Sequence, residues 1–256
     1  MKILLTNDDG YMAPGLLELF SVLRKSHDVC VVAPEVEHSG QSHAMTLKHP
    51  LLLRRHADLH YSCSGTPVDC VLLVQHQAID FKPDLVVSGI NRGPNLGTDL
   101  VYSGTAAAAR QAAMSGIPGI AVSLAEFHEP FKYSALAGFV EENVEFLRGL
   151  WEPGIFFNIN APNAESGHAY ESCWTGLCQR VYKDTMEAVH TSGGTSFCFY
   201  TEGCITTIED IASDEYAVAK GYASITPVDI VPHVSLSWME KHAIQHKCPL
   251  GVNDEH

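Results

Sequence analysis

The chain opens on a short apolar run, KILLT (2–6), with no polar alternation. That is the pattern of a strand buried on both faces. Residues 13–26 place Pro14 where a first helical turn accepts it, with Leu16, Leu19, Phe20 and Leu23 at helical spacing. DVCVVAP (28–34) is β-branched, ends at a proline and predicts a second strand. Over 66–79, Thr66 suits an N-cap and Pro67 stands just inside a predicted helix. PDLVVSGIN (83–91) predicts a strand running into glycine-rich chain, and an alanine-rich helix follows from near Ser103 to Gly116. Strand character returns over 117–124, a long helix over 131–150 and a further strand over 154–162. This alternation predicts an α/β fold, three-layered and Rossmann-like, with a mostly parallel sheet covered by helices on both faces. In such folds ligands bind outside the carboxyl ends of the strands, near a switch in strand order.

The pattern changes from about Ala161. Residues 192–204 suggest extended or hairpin structure, and 213–221 a helix capped by Ser213 and ended by Gly221. Residues 221–229 return to strand character, and LSWMEKHAIQ (236–245) predicts a terminal helix. The expected organisation is one domain over 1–256, with a catalytic core over 1–160. Residues 161–256 would form an extension for partner subunits or substrate.

Three polar motifs follow three of the predicted strands. Asp8–Asp9–Gly10 follows the first, Ser39–Gly40 the second after a short loop, and Asn91 ends PDLVVSGIN. If those strands are parallel, all three motifs leave the same sheet edge. Neighbouring strand side chains point to opposite faces, so Asp8 and Asp9 meet one ligand only where the chain is already turning, which Gly10 permits. Two carboxylates on one site repel unless a cation lies between them. With the Ser39 hydroxyl and the Asn91 amide oxygen they form a hard donor set suited to Mg²⁺ or Mn²⁺. Each motif alone reads as ordinary turn chemistry; the three on one edge read as a cation site. Beyond the third strand, Ser103, Gly104 and Thr105 begin the alanine-rich helix, and a helix start with free N–H groups suits an anion. Helix capping explains the same residues equally well on local grounds, and a neighbouring cation favours phosphate chemistry.

Composition narrows the field. The chain has 256 residues, 46% of them apolar, enough for one sizeable core. A formal charge of −14 with only 16 Lys and Arg argues against gripping a nucleic-acid polymer. The eight cysteines are scattered without a C-x-x-C pair and read as reduced thiols of a cytoplasmic protein. No apolar run approaches the length of a membrane span, and the start lacks the pattern of a signal peptide. His56/His60 and His242/His246 have i, i+4 spacing outside any H-E-x-x-H motif and read as surface or structural histidines.

TNDDG (6–10), VVAPEVEHSGQSHAMTL (31–47), GTPVDC (65–70), VVSGINRGPNLGTDLVYSGTAAAA (86–109) and GIPGIAVS (116–123) together resemble the SurE family of stationary-phase survival nucleotidases. The likeness is dense over about residues 1–124 and thins afterwards to FFNINAP, QRVY and GYASITPVD. The resemblance implies a metal-dependent phosphatase acting on nucleoside monophosphates, with breadth toward 3′-nucleotides and polyphosphate. It implies one divalent ion per subunit, held by Asp8, Asp9, Ser39 and Asn91, and a C-terminal region that builds dimers or tetramers. Phosphate would be held near Ser103, Gly104 and Thr105, with Asn95. Asp8 and Asp9 are the catalytic candidates, either holding the metal or attacking phosphorus. The chain departs from the family where Gln111 and Ala112 replace a usual Glu-Gly pair. It also departs around 196–204, where the usual aromatic-glycine pattern is missing.

Rival classes fit less well. A phospho-receiver module needs a phospho-acceptor aspartate at a later strand end, where this chain has Asn91. A dinucleotide-binding oxidoreductase needs G-x-G-x-x-G after the first strand. The haloacid-dehalogenase class needs D-x-D, but Gly10 stands two residues beyond Asp8. A phosphate- or nucleotide-binding signalling module without turnover is the remaining alternative.

Overall fold

The computed structural model describes residues 1–201, 203–207 and 210–232. In chain order the elements are β1 (Lys2–Thr6), α1 (Pro14–Leu23), β2 (Asp28–Pro34), β3 (Leu53–Ala57), β4 (His60–Cys63), α2 (Pro67–Gln75) and β5 (Leu85–Arg92). A 3-10 turn (Gly97–Val101) leads into α3 (Gly104–Met114), β6 (Gly119–Ala125), α4 (Ser134–Leu150) and β7 (Ile155–Pro162). Then come β8 (Ser172–Trp174), β9 (Arg180–Tyr182), β10 (Thr185–His190), β11 (Ser196–Thr201), β12 (Ile205–Thr207), α5 (Asp214–Ala219) and β13 (Ala223–Asp229).

Nine strands form one sheet in the order β3-β4-β2-β1-β5-β6-β7-β13-β8. The six from β4 to β7 run parallel to one another. β3 is antiparallel to β4, and β13 is antiparallel to β7. The order reverses at β1, whose neighbours are β2 and β5, so the end of β1 lies at the topological switch point.

β1 is buried on both faces because helices cover both. Ile3 and Leu5 join a core built with Leu16, Leu19 and Leu23 of α1 and Leu136, Val140 and Val144 of α4. Leu4 points the other way, into a core with Cys70, Val71 and Val74 of α2 and Ala108 and Ala112 of α3. The alanines of α3 let it lie close to the sheet: a Cβ on Gly119 would stand 2.1 Å from the Ala109 carbonyl oxygen.

Predicted elements and observed ones agree at β1, β2, α2, β5, α3, β6 and β7. α4 begins at Ser134 rather than Phe131. The approach to it is tied down elsewhere, with the Lys132 N–H donating to Asn163 Oδ1 at 2.9 Å. The β3–β4 pair has no counterpart in the sequence reading, because LRRHA is mostly exposed and carries no apolar period. The expected hairpin is β10–β11, with every residue of both strands exposed. Ser213 caps α5, its hydroxyl accepting from the Tyr216 N–H, and Gly221 takes a positive φ of 94° beyond it. The predicted terminal helix, His242, His246 and Cys248 lie outside the described residues.

Candidate functional site

The turn after β1 is built by its own residues. The Asn7 side chain donates to the Gly10 carbonyl at 2.9 Å, and Gly10 adopts φ 106°, which a side chain would strain. The chain thereby turns between the two carboxylates. Asp8 is buried, 4% exposed, and faces the start of α3. Its Oδ2 accepts the Thr105 N–H at 3.1 Å, and its Oδ1 accepts the Thr105 hydroxyl in a short hydrogen bond. A Cβ on Gly104 would lie 2.9 Å from Asp8 Oδ2, so only glycine allows the helix this close. Asp9 points the other way, and its Oδ2 accepts the Arg92 N–H at 3.0 Å.

Neither carboxylate has a full counter-charge. Burial raises the Asp8 carboxyl above its ordinary value, against the opposing pull of the Thr105 hydrogen bonds. Burial, and then the neighbouring Asp8 charge, push Asp9 up to about 6. The nearest guanidinium, Arg92, reaches Glu37 at 3.7 Å. Like charges held together in a protein site are relieved by protonation or by a bound cation.

Asp8, Ser39, Asn91, Asn95 and Ser103 line one cleft of about 290 Å³ at the carboxyl edge of the sheet. Asp9 lines an adjoining depression of about 140 Å³ with Glu37, Arg92 and Tyr133. Gly104 and Thr105 do not line the cleft; they lie behind Asp8. Asn91 follows a register shift between Ser88 and Asn91 in the β5–β6 pairing. Its Nδ2 donates to the Gly93 carbonyl at 2.9 Å, so the opposite corner of the amide, Oδ1, is the atom left for a ligand. The exposed Ser39 hydroxyl donates to Glu37 Oε1 at 2.8 Å, which keeps its lone pairs for another partner. Two carboxylates, a hydroxyl and an amide oxygen suit Mg²⁺ or Mn²⁺ by donor chemistry. Among the described residues no group of three or more His, Cys, Asp or Glu side chains is placed to hold a metal ion, so the site offers two carboxylates with a hydroxyl and an amide beside them.

The loop carrying Ser39 is fastened from several sides. The His38 N–H donates to the Asp8 carbonyl at 2.8 Å, and the Ser42 hydroxyl to the Val101 carbonyl at 2.6 Å. His43 meets Gln111 Oε1 at 3.0 Å, so the departure at 111 bears on this loop rather than on the aspartates directly. Asp69 closes a capping box with Thr66 at the start of α2 and also accepts the Thr46 hydroxyl at 2.7 Å. Asn95 is pinned from beneath. Its N–H donates to Asn160 Oδ1 at 2.8 Å, its carbonyl accepts from Asn158 and Asn160, and its Nδ2 donates to Ser123 Oγ at 2.8 Å. One amide hydrogen of Asn95 remains for a ligand. Ser103 caps α3, its hydroxyl accepting the Ala106 N–H at 3.0 Å.

Several residues around the site were not among the sequence candidates: Arg92, Asp99, Tyr102, Phe127 and Tyr182 in the cleft, and Glu37 in the adjoining depression. The amides of FFNINAP were a readable signal, because two asparagines in a fully buried strand must serve a polar partner. Asp99 and Tyr182 gave none, being joined only by folding.

A family model described as "Survival protein SurE" matches residues 3–184. The chain is 41% identical over 247 residues to the "5'-nucleotidase SurE" of Geotalea uraniireducens (strain Rf4), covering 94% of this chain and 98% of that protein. It is also 41% identical over 236 residues to the "5'-nucleotidase SurE" of Thermosipho melanesiensis, covering 90% and 92%. Its structure is similar to the crystal structure of the SurE protein from Aquifex aeolicus, with a TM-score of 0.80 and 32% identity over 95% of this chain and 98% of that one. The switch-point site and these likenesses lead to one conclusion: the chain belongs to the SurE family.

Proposed function

We propose that this chain is a 5′-nucleotidase, a metal-dependent phosphomonoesterase that hydrolyses nucleoside 5′-monophosphates to nucleoside and phosphate, with 3′-nucleotides and short polyphosphate as further substrates. The names of the relatives, "5'-nucleotidase SurE", support the reaction. The observation that carries the metal dependence is the uncompensated Asp8–Asp9 pair, with buried Asp8 in the cleft of Ser39 and Asn91 and half-buried Asp9 in the depression that adjoins it.

One Mg²⁺ or Mn²⁺ per subunit, held by Asp8, Asp9, Ser39 and Asn91, would supply positive charge to phosphoryl oxygens and a water of lowered pKa. Asn95, with one amide hydrogen available, and the start of α3 at Ser103 orient the phosphate. Gly104 and Thr105 act one layer back, fixing the Asp8 carboxylate so that it does not reorganise during the reaction. Asp8 is a poor nucleophile here, because both of its oxygens accept hydrogen bonds from Thr105. Water therefore forms the new bond to phosphorus while the ester P–O bond breaks, and the proton that the water gives up ends on the departing nucleoside oxygen. Positioning and fixed charge supply most of the acceleration, as in phosphoryl transfer generally.

Two features of the surroundings extend the proposal. The β10–β11 ribbon leaves Met186, Val189, Phe197, Phe199 and Tyr200 more than half exposed, an apolar surface suited to a second copy of the chain in a homodimer or homotetramer. The scattered cysteines support a cytoplasmic setting; no helix among the described residues is long and apolar enough to cross a membrane.

The test is phosphate release from AMP with Mn²⁺ and with EDTA. Release that depends on Mn²⁺ and stops on chelation is expected. Binding of AMP without release under any divalent ion would instead favour the signalling-module reading.

A further inference from the structure

The cleft that holds Asp8, Ser39 and Asn91 is also lined by three aromatic side chains, Tyr102, Phe127 and Tyr182. They stand 63%, 61% and 41% exposed, so their ring area is not spent on the core. Among the described residues none of the three stacks on another ring.

Tyr182 is held in place. Its hydroxyl donates to Asp99 Oδ1, and Asp99 Oδ2 pairs with the Arg180 guanidinium. The Arg180 side chain is 5% exposed, reaches Glu215 of α5 at 3.5 Å, and lies 5.8 Å from the centre of the Tyr182 ring. The Thr98 hydroxyl donates to the Arg180 carbonyl at 3.0 Å, fastening β9 to the 3-10 turn that carries Asp99. A buried ion pair of this kind costs desolvation and needs its partners satisfied. Here it fixes the orientation of one tyrosine at the mouth of the cleft. With its hydroxyl already bonded, what Tyr182 offers a ligand is the face of its ring.

We propose that Tyr182, steered by Asp99 and Arg180 and accompanied by Tyr102 and Phe127, is the platform on which the base of a nucleoside monophosphate stacks. The inference rests on the nucleotidase reading for the substrate class. It adds the end of the substrate that the metal and phosphate residues leave unbound. A ring fixed before binding loses little side-chain entropy when the base arrives. Stacking uses the π-face that every base carries, so the site accepts purines and pyrimidines alike and favours the larger purine faces. It also gives QRVY a role, by bringing Arg180 and Tyr182 from beyond β7 to a cleft formed mainly by earlier strands.

The test compares kcat/KM for AMP and UMP with that for ribose 5-phosphate, which has the same phosphate and sugar but no base. Wild type should prefer the nucleotides by about ten-fold or more, the scale of one base–aromatic stack. Tyr182→Ala should remove most of that preference, lowering AMP turnover far more than ribose 5-phosphate turnover. Tyr182→Phe, which keeps the ring and loses only its bond to Asp99, should retain most of it. Equal loss on both substrates, or a wild type indifferent to the base, overturns the platform. Calorimetric binding of adenosine to wild type and Tyr182→Ala separates the two readings. A protein that binds adenosine through Tyr182 yet releases no phosphate from AMP overturns the nucleotidase and leaves the platform standing.

Discussion

Asp8 and Asp9 are neighbours in sequence that the turn at Gly10 sends to two adjoining hollows. Their cost to the metal-free protein is measurable. Both carboxyls have folded values raised above the unfolded ones, Asp9 to about 6. Between about pH 4 and pH 6 the folded state then holds more protons than the unfolded state, so this pair's contribution to stability falls as pH rises through that window. Metal-free protein is accordingly expected to gain thermal stability from Asp9→Asn at pH 7, by about 2–4 °C for each 1 kcal/mol relieved. The gain should vanish at pH 4, where Asp9 is protonated. A calorimetric scan at both pH values checks this; a loss of stability at pH 7 would show that the pair is satisfied without a cation. With saturating Mn²⁺ the sign at pH 7 should reverse, because wild type then gains the binding free energy of the ion.

The helix α3 shows at the scale of an element how support reaches the site. Thr105 contributes both its N–H and its hydroxyl to Asp8, across 97 positions of sequence. Thr105→Val preserves shape and removes the hydroxyl. It should weaken Mn²⁺ affinity or activity by about 10–100-fold, the usual effect of losing a partner behind a metal ligand. Thr105→Ser should keep most of both, and a valine variant equal to wild type would show that the helix N–H alone suffices. The same element marks the limit of what the sequence discloses. Its cap at Ser103 and its alanine face were legible, because caps and periodicity are local. β1, β2 and the end of β5 at Asn91 were legible for the same reason. The bond from Thr105 to Asp8 was not, since nothing local distinguishes a hydroxyl that caps or contacts a ligand from one that holds a carboxylate. The Arg180–Asp99 pair, joined across 81 positions, was hidden in the same way. β3 was missed because an exposed edge carries no apolar alternation, and β4 because HYSC is four residues long and holds no apolar run.

At the scale of the whole molecule, the catalytic edge and the exposed ribbon make separate claims. Replacing Phe197 and Phe199 by serine should shift the chain toward smaller species in sedimentation equilibrium, if the β10–β11 ribbon joins copies. An unchanged mass would release the ribbon from that role. The central claim concerns the catalytic edge: a cation held by the aspartate pair drives hydrolysis of a nucleotide phosphomonoester. The most direct measurement is phosphate release from AMP as Mn²⁺ is titrated into wild type and Asp8→Asn. Wild type should turn over with saturable Mn²⁺ dependence while Asp8→Asn shows almost none at any metal concentration. Near-wild-type turnover by Asp8→Asn would contradict the account.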